Sequence, residues 1–377
     1  TKVVLPVLTP SLMAVTILTF ITGLSATSAP LLVGGQDFQT ITPMILTFAN
    51  NVSSRPLAAL LALFLGVATI ILLTIMIQIE KRGHYMSVSK VKTTIVKQKI
   101  RNPILNVLAH VYAYLLFLIY VIPVALVVLF SFTDSATIAS KRLTLSSFTL
   151  ENYISIFQKA SSYKPFVVSI AYSAIAASFV AIIVLIACRI LQKRNDRLGG
   201  ALEYGLLIPW LLPTTLMALG LITTYNTPRV WMFNKVLTGT SVIMLIGYII
   251  IKIPFTLRMT KAAFFALDDS LEDAARNMGA KPFYTFMRVQ LPIILPTVLA
   301  IFALNFNGLL GDYDMSVFMY HPLNKPLGVY IKSLTDSESN ADNAALTFVY
   351  AVLMMIISAA VMYLVYGRGN KVDKSKD

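Results

Sequence analysis

The chain has 377 residues, of which 57% are hydrophobic and only 13% carry a charge, and its mean hydropathy is +0.75. Such an apolar composition excludes an ordinary soluble globular domain and indicates a membrane-embedded protein. The formal charge of +14 is compatible with contact to nucleic acid, with contact to anionic lipid, or with cytoplasmic loops, so the placement of the charges decides between these classes.

Eight apolar stretches are each long enough to cross the hydrocarbon core, which takes about 20 residues. They run over 10–31, 56–79, 106–131, 165–188, 203–224, 240–258, 291–311 and 345–366. We therefore predict an all-α polytopic membrane protein with about eight transmembrane helices.

Two kinds of connecting segment alternate between these stretches, one rich in Lys and Arg, the other in Ser, Thr, Asn, Tyr and acidic residues. If the basic segments are cytoplasmic, that side holds 22 of the 31 Lys and Arg residues, with Lys252 near the inner end of its span. This is the positive-inside pattern. The pattern predicts a cytoplasmic C-terminus and removes the main support for nucleic-acid binding. The basic segment 81–101 is then interpreted as an orientation anchor, which would also suit contact with anionic lipid.

An internal repeat relates the two ends of the chain. Residues 3–20 align without gaps to residues 289–306, so that Leu5-Pro6 meets Leu291-Pro292, and the same offset of 286 holds again near residues 58–60 and 82–83. One period contains six spans, an even number, so the repeats run parallel. We expect residues 1–104 to hold the last two spans of a first half plus a basic cytoplasmic linker. Residues 105–377 are expected to form a complete six-span second half. The chain is therefore expected to be a fragment of a longer protein.

One mixed-charge segment, SLEDAARNMGAKPFYTFMRVQLP over 270–292, lies between two apolar stretches on the cytoplasmic side. Ser270 is expected to cap a helix, and Gly279 is expected to end it in a left-handed conformation. An apolar stripe then faces away from the charges and comprises Leu271, Ala274, Ala275 and Met278. A helix lying on lipid is the alternative, but two alanines without Trp or a Lys cluster suit close packing against protein.

At these residues the chain resembles a known family. The string DAARNMG, nine further residues and VQLP are similar to the loop signature EAA, three residues, G, nine residues, I, one residue, LP of the membrane subunits of binding-protein-dependent ATP-binding cassette importers. Asp273 takes the Glu position and Val289 the Ile position, and the remaining matches are Ala274, Ala275, Gly279, Leu291 and Pro292. The resemblance covers the whole chain and is closest to fused two-half permeases for ferric iron, thiamine or aminoethylphosphonate.

The resemblance implies that loop 259–290 is a coupling loop whose first helix docks into a groove on an ATPase subunit, with Glu272 as the alternative to Asp273 for the acidic role. It implies two copies of that ATPase, an extracytoplasmic substrate-binding protein, surrounding lipid, and a prokaryotic plasma membrane. ATP would be bound by the partner. The chain is therefore expected to be no enzyme and to need no cofactor, and it contains no phosphate-binding loop of the type GxxxxGK[ST]. Ferric iron is the expected substrate, with thiamine, aminoethylphosphonate or a polyamine as alternatives.

Five residues are candidates for the translocation pathway. Pro209 and Pro213 interrupt one span, which predicts either a broken helix along the pathway or a kink that only shapes packing. Asn305 and Asn307 lie two apart in another span, so at most one should face a pore, and interhelical hydrogen bonding is the other reading. Asp312 lies at the outer end of that span, where it would meet a cation, the binding protein or only solvent. We expect no catalytic residue and no metal site, since the three histidines are scattered and Cys188 is the single cysteine.

Two other classes of function stay open at this level. An ion-gradient-driven secondary transporter would need no ATPase, and although many such folds use inverted repeats, parallel ones also occur. A structural membrane scaffold would transport nothing.

Overall fold

The computed structural model describes residues 12, 15–17, 19–34, 38–82, 100, 102–140, 143–194, 196–228, 230–265, 267–268, 270–335 and 342–367. Within these ranges nearly all regular structure is helical, apart from two isolated β-bridges that join Thr133 to Phe148 and His321 to Asn324. This confirms the all-α class that the apolar stretches predicted.

The helices follow one another with short connections. In chain order they are α1 (Val15–Leu24), α2 (Ser28–Val33), α3 (Ile41–Asn50), α4 (Arg55–Arg82), α5 (Pro103–Ser131), α6 (Ser135–Ser140), α7 (Glu151–Gln158), α8 (Ala160–Lys193), α9 (Arg197–Leu207), α10 (Thr214–Tyr225), α11 (Ser241–Phe265), α12 (Ser270–Asn277), α13 (Pro282–Thr285), α14 (Leu291–Leu310), α15 (Ser316–Met319), α16 (Leu327–Thr335) and α17 (Asp342–Tyr366).

Six helical segments in the described part of the chain are long and apolar enough to cross a membrane, and they belong to α4, α5, α8, α11, α13–α14 and α17. Two further helices, Arg197–Leu211 and Thr214–Tyr225, meet at an angle of 107° and give a seventh candidate, either one broken span or a re-entrant segment. These seven agree with seven of the eight predicted spans. The first predicted span, 10–31, falls partly on residues outside the described ranges, and its described part holds only the short helices α1 and α2.

The sequence repeat reappears in the order of the helices. Helices α2, α3 and α4 begin at residues 28, 41 and 55, and helices α15, α16 and α17 begin at residues 316, 327 and 342. Two short helices and one long membrane-spanning helix therefore recur in the same order, after 286 to 288 residues. Most of the aligned segment at residues 3–20 and all of the linker at 83–99 lie outside the described residues.

Helices α8, α11 and α14 pack against one another and form the centre of the second half. Their inner ends share a cluster that includes Val184, Cys188, Leu257 and Ile294, all buried. Small residues on α8, such as Ala176, allow close approach of the neighbouring backbones, which is the usual basis of helix packing in lipid. The remaining spans are arranged around this three-helix centre.

Hydrogen bonds between helices satisfy polar groups at membrane depth, where no water is available. Tyr350 on α17 donates from its hydroxyl group to the Ser162 carbonyl oxygen at 2.8 Å. The backbone N–H of Leu327, at the start of α16, donates to Ser169 Oγ on α8 at 2.7 Å. These contacts attach the outer ends of α16 and α17 to α8.

The expectation that Lys252 extends from the inner end of its span to the interface is wrong. Lys252 lies in the middle of α11, and its ammonium group occupies space against Gly308 of α14, where an added Cβ would come within 2.9 Å of Lys252 Nζ. The missing side chain of Gly308 gives the ammonium room between the two helices. The structure therefore places this charge inside the bundle.

Gly328 is held in close contact with the turn after α14. An added Cβ there would lie 2.5 Å from the Asp312 carbonyl oxygen and 2.8 Å from that of Gly311. Both are backbone atoms, so the chain would have to shift to make room.

We therefore expect Gly328→Ala to destabilise the protein by roughly 1–3 kcal/mol, the usual range for overpacking, and to lower the thermal unfolding midpoint in detergent. Gly220→Ala is the matched control, because Gly220 lies within α10 and an added Cβ would meet nothing within 4 Å. Alanine favours a helix over glycine, so the control should unfold at the same temperature or slightly above it. Equal midpoints for Gly328→Ala and the unmodified chain would contradict the close contact.

Candidate functional site

The mixed-charge segment forms two short helices between α11 and α14. Helix α12 begins at Ser270, as predicted. The capping contact differs from the prediction, because the Asp268 carboxylate accepts the Ser270 N–H at 2.9 Å. Acidic groups near a helix N-terminus suit its positive end, and Asp268 provides such a group two residues before the expected cap.

Gly279 ends α12 in the left-handed conformation, with φ of +82°. The Ala280 N–H donates to the Ala275 carbonyl oxygen at 3.0 Å, and the Gly279 N–H donates to that of Arg276 at 2.9 Å. This pair of bonds is the Schellman motif. The predicted C-cap is confirmed, and it reverses the chain into α13.

Glu272 is the most connected side chain of the loop. Its carboxylate accepts two hydrogen bonds from the Arg189 guanidinium, at 3.0 and 3.1 Å, and one from Lys193 Nζ at 2.6 Å. Gln290 Nε2 donates to the same carboxylate at 3.0 Å. Arg189 and Lys193 lie on the inner end of α8, and Gln290 directly precedes α14, so Glu272 connects α12 to two membrane helices.

The electrostatic setting of Glu272 stabilises its charged form. Hydrogen bonding from Arg189 is the main cause that lowers the pKa of Glu272 to about 2, burial opposes it, and Lys193 lowers it further. The carboxylate is therefore ionised throughout the physiological pH range.

Asp273, one residue further, faces away from the membrane helices. Its side chain is 67% exposed, and its carboxylate lies 3.8 Å from Arg276, itself an exposed residue. Ala274 is exposed as well, whereas Ala275 is buried. The structure thus separates the two acidic residues that the sequence left as alternatives, since Glu272 points toward the protein and Asp273 points outward.

The predicted apolar stripe is divided by burial. Ala275 packs inward, whereas Leu271, Ala274 and Met278, spaced three and four residues apart, are exposed on one face of the helix. Phe283 and Tyr284 of α13 are also exposed. The exposed part of the stripe is therefore accessible to a partner.

The loop enters the membrane through an unusually wide turn. Residues Phe286–Gln290 form a single π-helical turn that continues into α14, a feature often found at functional sites. Leu291 packs against the inner cluster of α8, α11 and α14, and Pro292 is exposed in the first turn of α14, where its missing N–H leaves no bond unmade.

A second group of predicted residues lies at the break in the seventh span. Pro209 belongs to a short 3₁₀ turn, Ile208–Leu211, and Pro213 precedes α10. Together with Asp314 they line a cavity of about 330 Å³. The structure therefore has a broken helix here, held to α11 by the Arg258 guanidinium, 4.5 Å from the centre of the Trp210 ring.

A neighbouring cavity of about 470 Å³ is lined by Asn307, Asp312 and again Asp314. Asp312 also has a structural role, because its Oδ2 accepts the N–H groups of Met315 and Ser316 at 3.2 and 3.1 Å. Four of the five predicted pathway residues thus line one of two cavities that share Asp314.

Asn305 is the exception among the pathway candidates. It is buried, and its Nδ2 donates to Thr256 Oγ1 on α11 at 2.7 Å. Asn305 therefore connects α14 to α11, which is the interhelical hydrogen bond that the sequence left open, while Asn307 lines a cavity.

A known protein family matches the part of the chain that contains the loop. The family model described as "Binding-protein-dependent transport system inner membrane component" matches residues 181–371, which include the end of α8, the loop and part of the lining of both cavities. The chain belongs to this family.

Relatives within the family extend the match over most of the chain. A probable ABC transporter permease protein of Sinorhizobium fredii, y4fN, is 38% identical over 96% of this chain, and the chain spans 63% of that relative's length. A putative 2-aminoethylphosphonate transport system permease protein of Salmonella paratyphi A is 24% identical over 56% of this chain and 78% of the relative. A probable sulfate transport system permease protein of Prototheca wickerhamii is 31% identical over 40% of this chain and 60% of the relative.

A solved structure shares the fold. The crystal structure of a bacterial ABC transporter involved in the import of the acidic polysaccharide alginate superposes with a TM-score of 0.58 at 14% identity, over 71% of this chain and 96% of that chain. At this identity the likeness shows a shared fold.

Sequence reasoning missed the partners of Glu272. Arg189 and Lys193 were visible as part of a basic segment, and their spacing of four places them on one helix face. Only the fold brings that face to α12, 79 to 83 residues further along the chain.

We predict that Gly279→Ala loosens the end of α12. A left-handed conformation costs an ordinary L-residue about 1–2 kcal/mol, so amide hydrogen exchange over residues 275–280 should speed up by roughly fivefold or more. Gly205→Ala is the control, since Gly205 lies inside α9 and an added Cβ would meet nothing within 4 Å. Unchanged exchange at the loop in Gly279→Ala would contradict the C-cap.

The pKa of Glu272 predicts a specific pH dependence. Because the pKa in the folded state, about 2, lies below the ordinary value of 4.5, the carboxylate adds stability above about pH 4.5 and loses it as the pH falls toward 2. The difference in thermal unfolding midpoint between the unmodified chain and Glu272→Gln should stay constant from pH 8 to about pH 5 and shrink below pH 4.5. Asp273→Asn, at an exposed side chain, should unfold near the unmodified chain throughout. A difference for Glu272→Gln that already declines between pH 8 and pH 5 would refute this assignment.

Proposed function

We propose that the chain is the permease subunit of an ATP-binding cassette importer, in which it forms the translocation pathway and receives motion from a separate ATPase subunit. The observation that carries the proposal is the geometry of α12. This helix presents Asp273 and Ala274 outward, while Glu272 on its other side is bonded to α8 and to the start of α14. A helix bound in this way is suited to transmit a movement from a docked partner to the membrane helices.

The exposed end of the loop provides the surface for that partner. Met278 and Phe283 are 82% and 75% exposed, and charged residues such as Asp273 and Arg276 surround them. An exposed apolar patch with a charged rim is typical of protein-protein contacts. The proposed occupant is the ATPase subunit, which would bind and hydrolyse ATP on the cytoplasmic side, where the C-terminus of this chain would also lie.

The number of ATPase copies follows from the repeat. The Leu5-Pro6 pair aligns with Leu291-Pro292 at the end of the loop signature, which suggests that a second coupling loop precedes residue 5 in a longer protein. Leu5 and Pro6 lie outside the described residues. Two loops would dock two ATPase copies, and an extracytoplasmic binding protein would deliver the substrate.

For the pathway, we propose the two cavities that share Asp314. Pro209 and Pro213 form the broken helix beside one cavity, and Asn307 and Asp312 line the other. Broken helices at membrane depth are tolerated where they line a cavity or are buried in protein, which supports this location.

The substrate is a separate proposal. Ferric iron follows only from the resemblance to fused permeases, and the relatives described above are named instead for 2-aminoethylphosphonate and for sulfate. Aminoethylphosphonate is therefore at least as well supported as ferric iron, and thiamine or a polyamine would also suit a permease of this type. The ligand that co-purifies with the binding protein would identify the substrate.

Two substitutions test the coupling role. Asp273→Lys reverses an exposed charge, and Gly279→Trp places a bulky group at the left-handed turn. Each should reduce both the amount of ATPase subunit that co-purifies with the chain and the uptake of the compound found in the binding protein, by roughly tenfold, the size of a coupling energy of 1–2 kcal/mol. Glu203→Gln is the control, because the Glu203–Lys261 ion pair joins α9 to α11 and involves no residue of α12 or α13.

Unchanged co-purification and unchanged uptake in both variants would contradict the proposal. Uptake that persists in ATP-depleted vesicles with an imposed ion gradient would favour a secondary transporter instead, and absence of any transport defect on deletion would favour a scaffold.

A further inference from the structure

We propose that Glu272 is the positioning residue that transmits movement of α12 to α8 and α14, whereas the neighbouring Asp273 serves only the docked partner. This inference rests on the proposed function, because it requires that a partner moves α12. It assigns distinct roles to two adjacent acidic residues that the loop signature does not distinguish.

The bond between Glu272 and Arg189 has the geometry of a rigid connection. Two parallel hydrogen bonds, 3.0 and 3.1 Å long, join the carboxylate to the guanidinium. A bidentate pair of this kind fixes orientation as well as distance. Rotation or withdrawal of α12 would therefore have to carry the inner end of α8 with it or break two charge-assisted bonds.

Arg189 is itself held in place by its own neighbours. Its Nη1 donates to Gln192 Oε1 at 2.8 Å, and its guanidinium carbon lies 5.9 Å from the centre of the Phe286 ring. Phe286 in turn stacks on Phe264 at the end of α11. The guanidinium thus lies where α8, α11 and the π-helical turn meet, so a force applied through Glu272 reaches all three.

Gln290 provides the connection to α14. It is 3% exposed, it ends the π-helical turn, and its Nε2 donates to Glu272 Oε2 at 3.0 Å. A π-helical turn has a weaker hydrogen-bond pattern than an α-helix, so it is a place where the entry to α14 can adjust when Gln290 is pulled. Glu272 therefore acts on both sides of the loop at once.

Burial separates this contact from an ordinary surface ion pair. The side chains of Glu272 and Arg189 are 17% and 16% exposed, whereas those of Asp273 and Arg276 are both 67% exposed. Exposed pairs contribute little and exchange readily with water, but a mostly buried carboxylate that loses its charge leaves Arg189 without its main partner. Of these two acidic residues, Glu272 is the one that is mostly buried and bonded to other helices, as a mechanical connection requires.

The experiment follows the membrane helices directly and needs no transported substrate. In a Cys188→Ser background, spin labels at Ser53→Cys and Ser161→Cys report the distance between two exposed sites, one beside the first turn of α4 and one in the first turn of α8. The full-length protein is purified with its ATPase subunit and binding protein, and the distance is measured before and after addition of ATP and vanadate.

We expect ATP and vanadate to change this distance in the otherwise unmodified complex. In Glu272→Gln, the fraction of molecules that change should fall by roughly tenfold, while the ATPase subunit still co-purifies. Exchange of the two charges, Glu272→Arg with Arg189→Glu, should restore part of the response. Glu203→Gln removes an ion pair between α9 and α11 that involves no residue of α12 or α13, and this variant should respond as the unmodified complex does.

A full distance change in Glu272→Gln would overturn the inference. A response lost because the ATPase subunit no longer binds would also overturn it, since Glu272 would then belong to the docking surface. If Glu272→Gln does not fold, Gln290→Leu decides, since it removes only the connection to α14. A reduced response supports the inference, and a full response contradicts it. Absence of a bound ATPase subunit or of any distance change in the unmodified complex would overturn the proposed function itself.

Discussion

The carboxylate of Glu272 is the contact on which the functional part of this structure depends. This carboxylate on α12 accepts hydrogen bonds from side chains of α8 and from Gln290 at the start of α14. Without it, α12 would lose its side-chain hydrogen bonds to α8 and to the start of α14. The energy of the contact comes from charge-assisted hydrogen bonds in a mostly water-free site, where they are stronger than at the surface.

A second constraint acts inside the membrane, where each backbone polar group needs a partner. The protein meets it by continuous helices in six spans and by specific contacts at the places where the chain bends. Asp312 accepts two backbone N–H groups in the turn after α14, and Arg258 covers Trp210 at the broken span. The irregular segments therefore coincide with the two cavities, since an irregular backbone at membrane depth has to be buried in protein or line a cavity.

Much of the architecture was predictable because the membrane makes the hydrophobic signal strong. Seven of the eight predicted spans and the left-handed turn at Gly279 all follow from patterns within single segments. Lys252 was placed wrongly because its setting depends on Gly308, which lies on another helix. The pairing of Asn305 with Thr256 was likewise invisible, although the spacing of Asn305 and Asn307 already predicted that they would differ.

The sequence by itself determined that this is a multi-pass helical membrane protein and where its permease-type loop lies. These properties depend on local composition and spacing, which a linear sequence contains. Only the tertiary structure decided which of two adjacent acidic residues faces the membrane domain, because Glu272 and Asp273 differ in the direction their side chains take from one helix. That direction has meaning only once Arg189, far away in the chain, lies beside it.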